Sequence, residues 1–440
     1  VKRIKFMSSI IKKCRICGNE ELVPIISLGN QCLTSVFPRP DSDNPSISPL
    51  DLLFCSSKTK EVCNLVQLKH NADIEEMYGS TYGYFSSISP TMVSHLSDIM
   101  DQVINSIELK DNDTVLDIGC NDGTFLNLYK KERCLNRVGI DPSSEKFKEM
   151  FDDDIKVSYN FFSEKKVREI IDNNHCKVIS SIAMFYDIDD PIDFAKGIKS
   201  LLTDDGIWVV EVAYLPLMMT NLAYDQIMHE HLTYLGLKQM KWIMDKVDME
   251  IIDISLNNIN GGSITIIAGN KSHNHKINSK EINLLIEKEK QLEDKRTFER
   301  FARRIASHKN DLNEVLEIIN QTPKTIMGYG ASTKGNVVLN YCDIKPSQLI
   351  KICDQNPEKP GLLTPGSRIP IISKDEMRKV RPDYLLVLIW HFRKEVIEDE
   401  IEYINDGGTL IFNLPRIHFV NKSNYKEYMQ ASFDDLSYSL

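Results

Sequence analysis

His229-Glu230-His231, a short distance beyond a strand-like run ending at Glu211, places two imidazoles around one carboxylate. An imidazole that is neutral near pH 7 accepts a proton, and a neighbouring carboxylate can orient it. In a helix the two rings would point about 200° apart, and in an extended segment they would share a face. Tyr224 lies just upstream, and Tyr82-Gly83-Tyr84-Phe85-Ser86 supplies further hydroxyls that could hold a developing oxyanion. Taken alone, the triplet fits two surface histidines beside a helix cap equally well. Its neighbours favour proton removal.

Upstream runs Asp117-Ile118-Gly119-Cys120-Asn121-Asp122-Gly123-Thr124, a glycine turn at the end of a strand-like segment. Asp141 ends the next such segment, at the spacing where a carboxylate grips ribose hydroxyls. A dinucleotide prefers G-x-G-x-x-G and bare amides for its pyrophosphate. Here Asp117 and Asp122 flank the turn instead, so a cationic ligand fits better: S-adenosylmethionine (SAM), with its sulfonium, rather than NAD. Asn160, Phe161 and Phe162 follow a third strand position and could frame the adenine. A second turn, Gly328-Tyr329-Gly330-Ala331-Ser332-Thr333-Lys334-Gly335-Asn336, offers hydroxyls, an amine and free amides at a helix start, which suits an anion such as a nucleoside diphosphate. Asp354 follows at a ribose-like spacing. The competing reading is a nucleotide fold kept only as a lid, and a dehydrogenase would need NAD(P) on this second turn.

Cys14-Arg15-Ile16-Cys17, with Cys55 and Cys63, gives two cysteine pairs. The first is a C-x2-C knuckle able to take two corners of a tetrahedral Zn²⁺. The second, with seven intervening residues, is longer than usual, and Cys32 lies between the pairs as a rival. The reading is a structural zinc that holds a loop-rich segment together, against unconnected buried thiols.

These groups need scaffolds to position them. The 440 residues suit two or three domains, and 42% hydrophobic and 26% charged residues are those of an ordinary globular chain. The net charge of −10, without a Lys/Arg block, argues against nucleic-acid binding. No apolar run approaches the roughly 20 residues that span a bilayer. With no export signal among the first residues and ten cysteines, a cytoplasmic location with reduced thiols is expected. Strand-like Thr114–Ile118, Arg137–Ile140, Lys177–Ile182 and Gly206–Glu211 alternate with helical stretches, predicting a parallel sheet completed by Ile251–Ile254 and Ser263–Ala268. Residues 279–320 contain neither Pro nor Gly, and Phe298, Phe301, Ala302, Ile305, Leu312, Val315, Leu316 and Ile319 form one helical stripe, read as core. A second alternation begins at 324, with strands at Lys324–Met327, Leu349–Cys353, Tyr384–Ile389 and Thr409–Phe412. The expected fold is α/β: an N-terminal zinc-binding module (8–72), a cofactor-binding core (73–270), a helical linker (271–322) and a second Rossmann-like domain (323–430).

The order of these motifs resembles the sugar C-methyltransferase family that acts on 4-keto-deoxysugar nucleotides. The likeness runs from the four cysteines and Val66-Gln67-Leu68 through the Tyr82 stretch, the 117–124 turn, His229-Glu230-His231 and Gly261-Gly262-Ser263. It ends with the 328–335 turn and the stretch from Pro382 to Trp390-His391-Phe392. The resemblance implies a class I SAM methyltransferase core flanked by a zinc module and a C-terminal Rossmann-like domain, with the nucleotide-linked sugar in the cleft. It implies that a base removes the C3 proton beside the ketone and that the enolate takes the methyl group. His231 is then the base, assisted by Glu230, His229, Tyr82, Tyr84 or Tyr224. Asp117, Gly119, Asn121, Asp122, Gly123, Asp141, Asn160, Phe161 and Phe162 would hold SAM. Gly328, Gly330, Ser332, Lys334, Asn336, Asp354, Trp390 and His391 would hold the sugar nucleotide. Three positions depart from the family pattern: Met228 for a Tyr, Asp187 for a His and Asn260 for a His, which points to a different sugar or acceptor atom. The alternatives are transfer to oxygen or nitrogen of a nucleotide sugar, and a nucleotide-sugar binding protein without activity. Neither oligomeric state nor the particular sugar follows from the sequence.

Overall fold

The computed structural model describes residues 9–72, 74–77, 85–129 and 134–440. Three sheets carry the architecture. The central one has seven strands in the order Met249–Asn257, Ser263–Asn270, Leu202–Ala213, Cys176–Ile182, Thr114–Ile118, Asn136–Ile140, Lys156–Ser158. The last five are mutually parallel, and Ser263–Asn270 runs antiparallel to both of its neighbours. All five residues of Thr114–Ile118 are buried, as expected of a strand covered on both faces.

Helix Pro90–Ser106 covers one face. Proline occupies its first turn, the Ser89 hydroxyl accepts from Met92 N, and Met92, Leu96, Ile99, Met100 and Val103 form its buried stripe. His95 on the same helix reaches Glu211 at the end of a core strand, Nε2 to Oε2 at 2.8 Å, and Thr265 Oγ1 donates to that carboxylate. The helix is thereby fixed to the end of the sheet where the site lies.

The C-terminal sheet has six strands, ordered Ile371–Ser373, Ile352–Asp354, Ile326–Tyr329, Tyr384–Val387, Thr409–Phe412, His418–Val420. Only the last pairing is antiparallel. This is the order of a nucleotide-binding fold, with the strand-order reversal beside Ile326–Tyr329. The 26-residue helix Lys295–Asn320 buries Phe298, Phe301, Ile305, Leu312, Leu316 and Ile319. Its stripe packs against both the C-terminal sheet and the N-terminal module, where Phe54 and Phe298 rings lie 5.1 Å apart. The preceding helix, Ser279–Glu289, ends in Glu289, whose carboxylate accepts from the Leu237 and Lys238 amides at the start of helix Leu237–Lys246.

The N-terminal module is a four-stranded sheet, and its edge strand is borrowed. The order is Thr233–Tyr234, Val66–Leu68, Ile47–Cys55, Leu22–Cys32, so a two-residue strand that begins one residue beyond the His-Glu-His triplet joins the module's sheet. No helix among the described residues is long and apolar enough to cross a membrane.

Candidate active site

The four cysteines converge. The sulfurs of Cys14, Cys17, Cys55 and Cys63 all lie within 4.8 Å of one another, with Cys14 and Cys63 at 3.3 Å and Cys17 and Cys55 at 3.5 Å. Tetrahedral Zn–S bonds of about 2.3 Å place sulfurs roughly 3.8 Å apart, so the quartet fits Zn²⁺. Cys32 stands outside the quartet, and burial pushes its thiol up to about 11. The metal would be structural, since four thiolates close its coordination shell.

At the sheet's C-terminal edge a cavity is lined by Asp117, Gly119, Asn121, Thr124, Asp141, Ser143, Met184 and Asp187, with Met92, Ile182 and Ala183. Asp117 accepts from the Ser180 hydroxyl at 2.6 Å. Burial drives its pKa up to about 7, Ser180 opposes this, and the nearby Asp141 adds to it. Asp141 fixes the turn: its Oδ2 accepts from Asn121 N and its Oδ1 from Ser143 N. Asp122 faces elsewhere, accepting from Ser87 N and from Thr124 N and Oγ1. Gly123, at φ +78°, opens the next helix. Asn160, Phe161 and Phe162 do not line this cavity. Phe162 packs on Phe194 at 4.6 Å, Phe161 is exposed, and Asn160 accepts from Lys166. An aromatic pair of this kind serves a core as readily as it serves a ligand.

A larger cleft opens where the three parts meet. Ser35 and Phe37 come from the N-terminal module; Phe85, Met92, Ala183, Tyr186, Met228, His231 and Asn260 come from the core. The C-terminal domain contributes Gly330, Ser332, Lys334, Asp354, Lys359 and His391. Met92 and Ala183 line both spaces, so the cavity at Asp117 and the cleft share a wall.

His-Glu-His forms a turn, with His231 N donating to Met228 O, and its two rings diverge. His229 Nε2 faces the Ser48 carbonyl at 3.1 Å, inside the N-terminal module and away from the cleft. His231 lines the cleft, its ring 4.3 Å from that of Tyr186. Burial, and then the Lys334 charge, lower its pKa to about 3, so the ring is neutral at physiological pH. Glu230 is buried behind this wall with neither oxygen in hydrogen-bond geometry, and burial raises its pKa against a smaller effect of Ser35. Tyr224 is fully buried away from the cleft, its hydroxyl on His308 Nδ1 at 3.0 Å, which corrects its expected place at the reaction centre. Tyr82 and Tyr84 lie outside the described residues.

On the opposite wall Lys334 Nζ donates to Asn260 O and Oδ1, at 3.2 and 3.1 Å. Burial lowers its pKa to about 8, with Asp225 opposing. Ser332 caps its helix through Gly335 N. Asp354 accepts from Asn356 N and pairs with Lys359 Nζ at 3.3 Å, and Lys359 in turn donates to Ala331 O. Gly328, Asn336 and Trp390 do not line the cleft. Gly328 packs against Ile352, Asn336 donates to Thr34 O, and Trp390 Nε1 donates to the buried Asp225. The last two join the domains. The sequence reading missed Lys359, Lys374, Ser35 and Phe37. Lys359 carried one signal, its place five residues beyond Asp354.

Three domain families match the chain in this order: "Putative zinc binding domain" over 14–78, "Methyltransferase domain" over 92–254, and "C-methyltransferase C-terminal domain" over 258–415. The C-methyltransferase NovU of Streptomyces niveus is 28% identical over 409 residues, covering 92% of this chain and 96% of NovU. An S-adenosylmethionine-dependent methyltransferase from Clostridium acetobutylicum superposes at TM-score 0.30 with 11% identity, covering 40% of this chain and 90% of its own. The plantazolicin methyltransferase BpumL, in complex with a pentazolic desmethylPZN analog and SAH, does so at 0.32 with 13% identity, covering 41% of this chain and 84% of its own.

Proposed function

We propose that this chain, a SAM-dependent methyltransferase with an N-terminal zinc-binding module and a C-methyltransferase C-terminal domain, methylates carbon, at C3 of a nucleotide-linked 4-keto-deoxysugar. The observation that carries the reading is the shared wall at Met92 and Ala183. It puts a neutral imidazole, an amine-lined anion surface and the cofactor cavity around one space. SAM, when bound, supplies an electrophilic methyl group. Asp117 and Asp141 suit its positive charge and its ribose. Lys334 and Lys359 suit the diphosphate of the acceptor, and Asp354 and His391 complete that side. The ketone acidifies the neighbouring carbon–hydrogen bond, and His231 is the base in this scheme, with the enolate oxygen stabilised as the proton leaves. The carbon–hydrogen pair becomes an enolate, the enolate carbon bonds to the methyl group, and the carbon–sulfur bond breaks towards sulfur. An anionic acceptor beside His231 raises the ring's proton affinity just when a proton must be taken.

The three departures from the family pattern all face ligand space. Asp187 lines the cofactor cavity, and Met228 and Asn260 line the cleft. Met228 and Asn260 are placed to tune the acceptor, whereas Asp187 faces the space assigned to the cofactor.

His231→Gln should leave SAM affinity by calorimetry within about twofold while lowering turnover by roughly 10²-fold or more, the usual worth of a general base. Turnover would be read by mass spectrometry with dTDP-, CDP- and GDP-linked 4-keto sugars. Deuterium from solvent should enter the unreacted acceptor at the carbon that is to be methylated. A product methylated on oxygen or nitrogen, or undiminished turnover by the variant, rejects the scheme.

A further inference from the structure

Gln67 is fully buried between the cysteine knuckle and the segment that carries His231. Its side chain grips the knuckle on both sides of Cys14: Oε1 accepts from Arg15 N at 3.0 Å, and Nε2 donates to Lys13 O at 3.2 Å. Its backbone sits opposite Thr233 in the strand pair that begins two residues after His231. Next to it, Leu68 N donates to Leu232 O, and Leu232 N donates in turn to Tyr186 O, which also accepts from Thr233 Oγ1. A second arm leaves the same knuckle. The buried Arg15 guanidinium pairs with Asp189 at 3.3 Å, on the loop just beyond Tyr186, and Asn71 Nδ2 donates to the same carboxylate oxygen. The two segments that meet at the cleft wall through the Tyr186 and His231 rings, 4.3 Å apart, are therefore both tied to one cysteine knuckle.

We propose that Gln67 is a positioning residue, coupling the zinc knuckle to the placement of His231 against Tyr186. A buried amide that makes two backbone hydrogen bonds fixes both distance and orientation, because leaving either end unmade costs the full desolvation of a buried group. The proposal rests on His231 being the base, and its tests are chosen to be separable from that reading.

With Gln67→Ala, zinc content and SAM affinity should match the wild type and KM for the sugar nucleotide should stay within about twofold, while kcat falls about 10- to 30-fold, the signature of a misplaced base. Hydrogen exchange of peptide 226–236 should accelerate, and chelating zinc from the wild-type enzyme should accelerate the same peptide. Gln67→Glu keeps the bond from Arg15 N and loses the one to Lys13 O, so it should fall between the two. It carries the test if the alanine variant does not fold. An unchanged kcat with unchanged exchange overturns the proposal, as does a fall in kcat accompanied by loss of zinc. If His231→Gln stays active, the base assignment fails, while the exchange measurement still decides whether Gln67 links knuckle and loop.

Discussion

The two glycine turns are the same backbone device with opposite charge. Each sits after the first strand of a parallel unit and before a helix, with an acid at the end of the second strand. In the core, Asp141 reaches back to the turn directly, accepting from Asn121 N, and it shares the cavity with Asp117. In the C-terminal unit, Asp354 is joined to its turn through a lysine: Lys359 pairs with the acid and donates to Ala331 O. With Lys334 and Lys374 also in the cleft, that side carries an excess of amines, while the core side carries uncompensated carboxylates. On the proposed function, a fold built twice would take two ligands of opposite sign through a few side chains at equivalent places.

The strongest break in this contrast is Lys359→Glu, which puts a second acid against Asp354. Affinity for the sugar nucleotide should fall by about 100-fold, the loss of one or two charge-assisted hydrogen bonds plus the repulsion added. SAM affinity should be unchanged. Titration calorimetry with each ligand separately checks both. Weaker SAM binding in this variant would mean that the two sites are not electrostatically independent.

Asp117→Asn is the converse. The Ser180 contact survives and the charge goes, so SAM should bind roughly 10- to 50-fold more weakly at pH 8 while the nucleotide sugar is unaffected. The wild type carries its own control. Burial raises the Asp117 pKa to about 7 in the free protein, so the charged form is lost as pH falls through that value. SAM affinity should then weaken by up to about tenfold per pH unit below 7, and the asparagine variant should be flat over the same range. The linkage to stability has the opposite sense. A carboxyl whose folded pKa is raised above its unfolded value contributes most below the unfolded pKa and loses that contribution as pH rises through about 7. The buried His229 and His231, lowered to about 4 and 3, oppose it: their contribution is complete above the unfolded imidazole value and falls as pH drops towards those figures.

Much of this contrast could be read from residue order alone. Val115-Leu116 with Ile118, and Leu385-Leu386-Val387, lack the in-out alternation of a half-exposed strand because both faces of their sheets are covered. The stripe from Phe298 to Ile319 follows helical spacing closely enough to fix its buried face. The four metal-binding cysteines emerged from type and spacing, and the structure removed only Cys32 as a rival. What stayed hidden was set by contacts between distant segments. Nothing local distinguishes His229 from His231, because a turn of the chain sends one into the N-terminal module and the other into the cleft. Tyr224 looked like a hydroxyl donor, yet its partner, His308, lies on the helix that bridges the domains. The two-residue strand Thr233–Tyr234 is too short to carry a pattern and exists only because Val66–Leu68 is there to pair with it.

The smallest effect expected separates the turns by their surroundings instead of their charge. Gly119 and Gly330 both hold positive φ, +77° and +88°, so alanine at either position costs about 1–2 kcal/mol for the left-handed backbone alone. The space around them differs. A Cβ at Gly119 would approach the Cγ of Met184 at 3.0 Å, and an unbranched side chain at the edge of a cavity can yield. At Gly330 it would meet Ile389 Cγ2 at 2.7 Å and Cγ1 at 2.8 Å, both on a branched side chain with little freedom to move. Gly330→Ala should therefore lose more stability in urea than Gly119→Ala, by about 1 kcal/mol, the usual cost of overpacking beyond the shared backbone term. Equal losses would show that backbone conformation alone dictates glycine in both turns. A larger loss at Gly119 would mean that Met184 is held as firmly as Ile389, making the cofactor turn the more rigid of the two before any ligand arrives.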